Sequence, residues 1–166
     1  MSVNQRVKSD RQLARLLQIG VVLEELVEAR AYEHYRSLSP SEREELDPAI
    51  AELLDEAAEE SAEHRAQLET LIEALDAESI PYDAVESMVR EQYGQTKPED
   101  FDGILYDQLH GEETAYKFYD DLIRSLEASD ATFGIDRERV LDTLRKIRSE
   151  EEHGVREVTE IMEGRG

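Results

Sequence analysis

Apolar positions recur at helical spacing through nearly the whole chain, with few β-branched runs and almost no strict alternation, so the pattern predicts helices rather than strands. The first predicted helix spans about residues 9–38, with Leu13, Leu16, Leu17, Gly20, Leu23, Val27, Ala31, Tyr35 and Leu38 on one stripe, and it stops at Pro40. The second follows Asp47-Pro48, a capping residue ahead of a proline at the first helical position. It continues to Ala77 through Ile50, Leu54, Ala57, His64, Leu68, Leu71 and Leu75, and residues 41–46 add a short turn ahead of it. The third runs from Pro98 to Ser129 with Phe101, Ile104, Leu105, Glu112, Ala115, Tyr119, Leu122 and Leu126 on one face, and the fourth from Asp136 to Gly164. Between Glu78 and Lys97 lies a stretch too long for a hairpin, with Pro81, Gly94 and Pro98 around a short apolar-patterned piece from Tyr82 to Tyr93. Two short links and one long crossover between the second and third helices predict an all-α four-helix bundle. A length of 166 residues suits one domain, residues 1–166.

Charge changes the picture next. The chain has 41 acidic and 19 basic residues, a formal net charge of −22, which argues against binding nucleic acid through its phosphates and against docking on acidic membranes. No apolar run reaches the roughly 18 residues a membrane span needs, and Met1-Ser-Val-Asn-Gln-Arg lacks the apolar segment of a signal peptide. The expectation is a soluble cytoplasmic protein. A surface so acidic repels itself in dilute buffer, whereas at about 1 M salt the Debye length falls to about 3 Å and the repulsion is screened. With only Lys8, Lys97, Lys117 and Lys146 among its cations besides arginine, the composition is similar to that of proteins from salt-accumulating halophilic archaea. Cysteine is absent, which removes disulfides, cysteine-ligated clusters and thiol catalysis. A metal site here must use oxygen and nitrogen ligands.

The candidate chemistry lies in a repeat. Glu28-Ala-Arg-Ala31-Tyr32-Glu-His-Tyr35 is matched by Glu112-Glu-Thr-Ala115-Tyr116-Lys-Phe-Tyr119, and each phrase sets a carboxylate in an apolar stripe. Burying an unpaired carboxylate is costly, so two at matching places point to a shared cation. Glu112 falls near the centre of its stripe; Glu28 lies to one side, and Glu24, one turn earlier, is closer to the centre, but the matched phrase favours Glu28. Each phrase is followed by an acid-rich stretch ending in histidine, Glu60-Ser61-Ala-Glu63-His64 and Glu150-Glu-Glu-His153. His64 sits squarely in its apolar face with Glu60 and Ser61 one turn before it. A straight fourth helix centres Glu151 and Gly154 and swings His153 outward, whereas a one-residue bulge between His153 and Val158 turns Glu150 and His153 inward, so irregular backbone is expected at residues 153–158. The candidate ligands are therefore Glu28, Glu60, His64, Glu112, Glu150 and His153, with Tyr32, Tyr35, Tyr116 and Tyr119 packed beside them as orienting hydrogen-bond partners. His34 and His110 fall off the stripes, as surface residues. Such ligands suit iron, manganese or zinc, and a carboxylate-bridged pair suits iron best.

The Glu-x-x-Ala-x-x-x-Tyr spacing at Glu28/Ala31/Tyr35 and Glu112/Ala115/Tyr119, the Gly111-Glu112 pair and Glu150-x-x-His153 together resemble the ferritin-like superfamily, closest to its rubrerythrin branch. The resemblance implies a ferritin-like bundle holding two iron ions that reduce peroxide or O₂, with a glutamate from helices one and three and a Glu/His pair from helices two and four. It departs at Ser61, which stands where a glutamate is expected three residues before His64, so that either Glu60 serves instead or the second-helix glutamate is missing and one metal position is incomplete. No cysteine exists to build a rubredoxin-type iron domain, so a separate electron donor is implied, and a homo-oligomer, dimer or larger. Ferroxidase and iron storage, or a non-catalytic metal-binding or structural bundle, are the alternatives. The halophilic reading has its own test: melting temperature rises between about 0.1 M and about 2 M KCl as the acidic surface is screened, and an equal melting temperature in the two would overturn it.

Overall fold

The computed structural model describes residues 7–36, 38–45, 48–75, 84, 87 and 101–165. Among these residues the secondary structure is helical, without strands, in five helices: α1 (Asp10–Arg36), α2 (Pro40–Glu45), α3 (Pro48–Leu75), α4 (Phe101–Glu127) and α5 (Arg137–Arg165). The four long ones hold 27 to 29 residues, about 40 Å each at 1.5 Å per residue. The stretch expected as a crossover lies outside the described residues apart from Ala84 and Ser87.

Local signals start these helices where the sequence places them. Ser39 and Glu42 form a reciprocal cap on α2, the Glu42 amide donating to Ser39 Oγ at 3.1 Å and the Ser39 amide to Glu42 Oε1 at 2.9 Å. Ser9 Oγ accepts the Gln12 amide at 3.1 Å to open α1, and Asp136 Oδ1 accepts the Glu138 amide at 3.2 Å to open α5. The Asp10 carboxylate accepts the Gly134 amide at 2.9 Å, fastening the α4–α5 loop to the start of α1. A Cβ at Gly134 would stand 2.7 Å from that carboxylate, so the loop approaches this closely only because the residue is glycine.

Each long helix packs on two others: α1 on α3 and α4, and α5 on α4 and α3. The register follows from side-chain pairs. Gly20 meets Leu68 while Glu28 meets Arg65, so α1 and α3 run antiparallel. Asp120 pairs with Arg148 at 2.8 Å and Glu127 with Arg145 at 3.0 Å, so α4 and α5 do too. Glu63 against Lys146 and Glu56 against Glu157 set α3 against α5 the same way.

Two apolar clusters fill the interior. The larger takes Leu13, Leu17, Leu68, Leu71, Leu122, Leu126, Leu144 and Ile147 among others; the smaller takes Ile50, Leu53, Leu54, Ala58 and Val158, with Leu109, Ile161 and Met162 against it. In sequence, Ser61, His64, Glu112 and Glu151, all buried, fall between the two sets, while the buried Glu24 falls within the larger. Close helix approach near this level depends on Gly20, where a Cβ would stand 3.0 Å from Leu68 Cδ1 and 3.2 Å from Phe118 Cε2. Leu68 is fully buried and has nowhere to retreat. Gly20→Val should therefore lower stability by about 1–3 kcal/mol in urea unfolding; an unchanged midpoint would show that α1 and α3 are not held this close.

Candidate metal centre

Strict alternation of steps of four and three residues, the spacing of a helix seam, carries the buried face of every long helix. On α3 it runs Ile50, Leu54, Ala57, Ser61, His64, Leu68, Leu71, Leu75, all buried. On α4 it runs Gln108, Glu112, Ala115, Tyr119, Leu122, Leu126, and on α5 Val140, Leu144, Ile147, Glu151, Gly154, Val158. On α1 the series Leu13, Leu17, Gly20, Glu24, Val27 selects Glu24. The polar members of these series meet one another.

Their geometry forms two groups with a common member. Oxygen and nitrogen atoms of Glu24, His64 and Glu151 lie within 4.8 Å of one another, as do those of Glu60, Glu112 and Glu151. Glu151 belongs to both. His64 is completely buried, its Nδ1 facing Glu151 Oε1 at 3.1 Å and Glu24 Oε1 at 3.4 Å, its Nε2 facing Glu150 Oε1 at 3.2 Å. Gln108 donates to Glu112 Oε1 at 2.9 Å, and the buried Tyr119 hydroxyl donates to Glu24 Oε1 at 3.1 Å. Gly154 accommodates the rest of Glu112: a Cβ there would stand 2.6 Å from Glu112 Oε2. Glycine inside a helix costs about 1 kcal/mol relative to alanine, and here it opens the space a carboxylate occupies.

Two oxygens at this centre, Glu24 Oε2 and Glu112 Oε2, are buried without a hydrogen-bond partner. Unpartnered buried carboxylate oxygens are rare because desolvation penalises them. Arg65, next to His64 in sequence, does not supply the counter-charge; it is engaged by Glu28 at 2.7 Å. Oxygen-rich donors with one imidazole, two orphaned oxygens aimed inward and one carboxylate common to both groups fit a pair of divalent cations.

Electrostatics describe the same crowding. Burial is the main cause that pushes Glu60 up to about 8; His64 opposes it, and the charges of Glu112, Glu150 and Glu24 each add a smaller rise. Burial pulls His64 down, but its hydrogen bond to Glu24 and the neighbouring carboxylates outweigh this and lift it to about 9. Burial also raises Glu112, and it raises Glu151 well above the usual carboxylate range, with Glu24 adding to both. The Tyr119 phenol rises for the same reasons, burial first, then Glu24. Without a cation the cluster therefore holds protons in its place.

The placement differs from the sequence expectation at several positions. The structure brings Glu60, His64 and Glu112 together, with Tyr119 against them, and adds Glu24 and Glu151. Glu28 is turned aside to Arg65. The expected backbone irregularity is absent: α5 is unbroken α-helix from Arg137 to Arg165, so the straight-helix geometry holds. His153 is accordingly 67% exposed, with Nε2 2.7 Å from Glu157 Oε1, and Glu150 stands at the edge, one-third exposed, touching His64. Tyr116 is half-buried, while the side chains of Tyr32, Tyr35 and His34 lie outside the described residues. His110 is exposed, as expected. Gln108 and the space-making role of Gly154 escaped the sequence reading, although the four-and-three stepping contains both. Compared with protein-family models, curated proteins and solved structures, the chain matches none. Among the described residues no helix is long and apolar enough to cross a membrane.

The shifts carry a sign. Glu60 at about 8 against an ordinary 4.5, and His64 at about 9 against 6.5, mean that the folded chain keeps protons the unfolded chain has released. Their stabilisation is complete on the acid side and is lost as pH rises through those folded values. Chelator-treated protein should therefore melt at falling temperature from about pH 5 to about pH 9. Glu151→Gln and Glu112→Gln should flatten that dependence and raise the melting temperature at pH 8. A wild-type curve that is flat or rising over this range, or variants that follow it unchanged, would contradict the buried cluster.

Proposed function

We propose that the protein is a dimetal carboxylate oxidoreductase of rubrerythrin type, holding two iron ions and reducing peroxide or O₂. One observation carries the reading: two groups of candidate ligands, all buried but the half-buried Glu60, share Glu151, and two of their carboxylate oxygens are unpartnered. The helix directions support ferritin-like connectivity. Because α3 and α4 each run antiparallel to α5, both point the same way, and a link from the end of α3 to the start of α4 has to travel their length.

Glu24, His64 Nδ1 and Glu151 would hold one ion, and Glu60, Glu112 and Glu151 the other. Four carboxylates balance the charge of two divalent cations. Two ferrous ions, when bound, would supply two electrons which, with two protons taken from solvent, reduce one peroxide to two waters. The chain's own groups arrange the rest. Glu150 accepts from His64 Nε2 and so turns Nδ1 towards Glu24 and Glu151; Tyr119 fixes Glu24, Gln108 fixes Glu112, and the apolar clusters on either side limit water. The two positions are unlike, one with an imidazole and one with carboxylates alone. Protons held by Glu60 and His64 must leave as ions bind, so loading at neutral pH releases acid.

Anaerobic Fe(II) reconstitution followed by metal analysis tests this. Two ions per chain are expected, falling to none in Glu151→Gln. In Gly154→Ala the added methyl pushes Glu112 away and weakens binding, while the chelated protein keeps or gains stability because alanine favours helix by about 1 kcal/mol. Less than about 0.2 ion per wild-type chain would remove the proposal. Iron that binds but leaves added peroxide unconsumed would leave a metal-stabilised bundle instead. A large cage by size-exclusion chromatography would favour the storage alternative.

A further inference from the structure

A buried pair of cation positions needs a way in, and most sides of this one are closed. Along the helix axes the apolar clusters stand on both sides, Leu68, Leu144 and Ile147 towards one end and Ile50, Leu54 and Val158 towards the other. A hydrated cation does not cross such layers without losing its water uncompensated. Between α1 and α3 the ion pair Arg65–Glu28 lies over the contact, and deeper in Gly20 packs against Leu68. Tyr119, fully buried, fills the junction of α1 with α4, and the α5 backbone at Gly154 is pressed against Glu112.

The seam between α3 and α5 differs. It is the most sparsely packed of the four helix pairs. Glu24, His64, Glu112 and Glu151 are all nine-tenths or more buried, so the members of the cluster that reach solvent are Glu60, half-buried on α3, and Glu150, 33% exposed on α5. Both flank this seam. One turn further along α3 from Glu60 stands Glu56, and across from it on α5 stands Glu157, 33% exposed and held by His153 at 2.7 Å. Glu56 and Glu157 meet closely enough that desolvation and then the Glu157 charge raise Glu56 above its ordinary value. On the other side of Glu60, Lys146 stands 3.9 Å from Glu63 and marks where the acidic line ends. Carboxylates thus continue outward from the unpartnered oxygens of Glu24 and Glu112 to the surface.

Resting on the dimetal reading above, we propose that divalent cations reach and leave the buried cluster through the α3–α5 seam, received at Glu56 and Glu157 and passed inward between Glu60 and Glu150. The stations lie about one helical turn apart on α3 and about two on α5, so a cation exchanges water for oxygen ligands step by step. Glu56 and Glu157 are not ligands of the final positions. Their removal changes how fast an ion arrives rather than how many are held.

The experiment is stopped-flow binding of Co(II), read by its visible absorbance, to wild type, to Glu56→Gln/Glu157→Gln and to Glu138→Gln/Asp142→Asn. The last pair removes the same charge from exposed acids elsewhere on α5. In the seam variant both association and dissociation should slow, association by about tenfold, within the range of electrostatic effects on arrival rates, with stoichiometry unchanged. The control should stay within about twofold of wild type. Equal slowing of both variants would reduce the effect to overall charge, and unchanged rates in the seam variant would place the route elsewhere; either outcome overturns the proposal. Loss of stoichiometry in the seam variant would make Glu56 or Glu157 a ligand and overturn it too. Failure of wild type to bind Co(II) at all would instead overturn the dimetal reading on which it rests.

Discussion

Four carboxylates and one imidazole share the level at which the long helices converge, and apolar packing alone cannot tolerate that many ionised groups without a counter-charge. The cluster draws on every long helix: Glu24 from α1, Glu60 and His64 from α3, Glu112 from α4, Glu151 from α5. Each is placed by a helix whose own stability comes from the apolar residues on either side of the cluster. The clusters around Leu71 and Leu126 on one side, and around Ile50 and Val158 on the other, hold the helices in register whether or not the middle is satisfied. The middle then takes up protons, as the raised values of Glu60 and His64 indicate; under the dimetal proposal cations would take their place. A fold arranged in this way separates what stabilises it from what the site can do.

The helices themselves were legible because the four-and-three spacing of leucines, valines and alanines is a strong signal over 27 to 29 residues, and because serine, aspartate and proline mark their starts. Glu112 and His64 were legible for the same reason: each interrupts an apolar stripe at its centre. Glu28 rests on its matched phrase and Glu150 on an expected bulge in the fourth helix, and position along each helix decides otherwise. Glu28 stands four residues past Glu24, one turn too far, so the pair that corresponds in space is Glu24 with Glu112 rather than Glu28 with Glu112. Glu150 is one residue from Glu151, about 100° around the helix, which is enough to move it from the interior to its edge. What the sequence could not display was the use of Gly154 as space for Glu112, since that depends on how closely α5 approaches α4.

Ser61 and Gly154 bear comparison on this ground. Both occupy seam positions at the level of the cluster, Ser61 three residues before His64 and Gly154 three residues after Glu151, and neither brings a charged ligand. A more symmetrical arrangement would place a carboxylate at the first and an imidazole at the second, giving each cation the same surroundings. Here α3 supplies the histidine and α5 the shared carboxylate. In the dimetal reading the imidazole-bearing position and the all-oxygen position would differ in the cations they prefer, because imidazole favours later first-row metals and carboxylates alone discriminate less among harder ones. Under that reading the two positions would fill unequally.

Surface and interior follow one electrostatic logic. An excess of acidic residues raises the local concentration of cations around the whole molecule, but at high ionic strength that field reaches only about 3 Å. Long-range attraction then contributes little, and a cation is guided only by groups it nearly touches. In the proposed route Glu56 and Glu157, which face each other across the α3–α5 seam, and Glu60 and Glu150 further in would supply such contacts. The arginines follow the complementary rule. Arg65, Arg145 and Arg148 pair with Glu28, Glu127 and Asp120 on the outer parts of the helices, joining α1 to α3 and α4 to α5. Placed closer to Glu24 or Glu151, an arginine would neutralise the cluster and remove the charge on which the dimetal proposal depends.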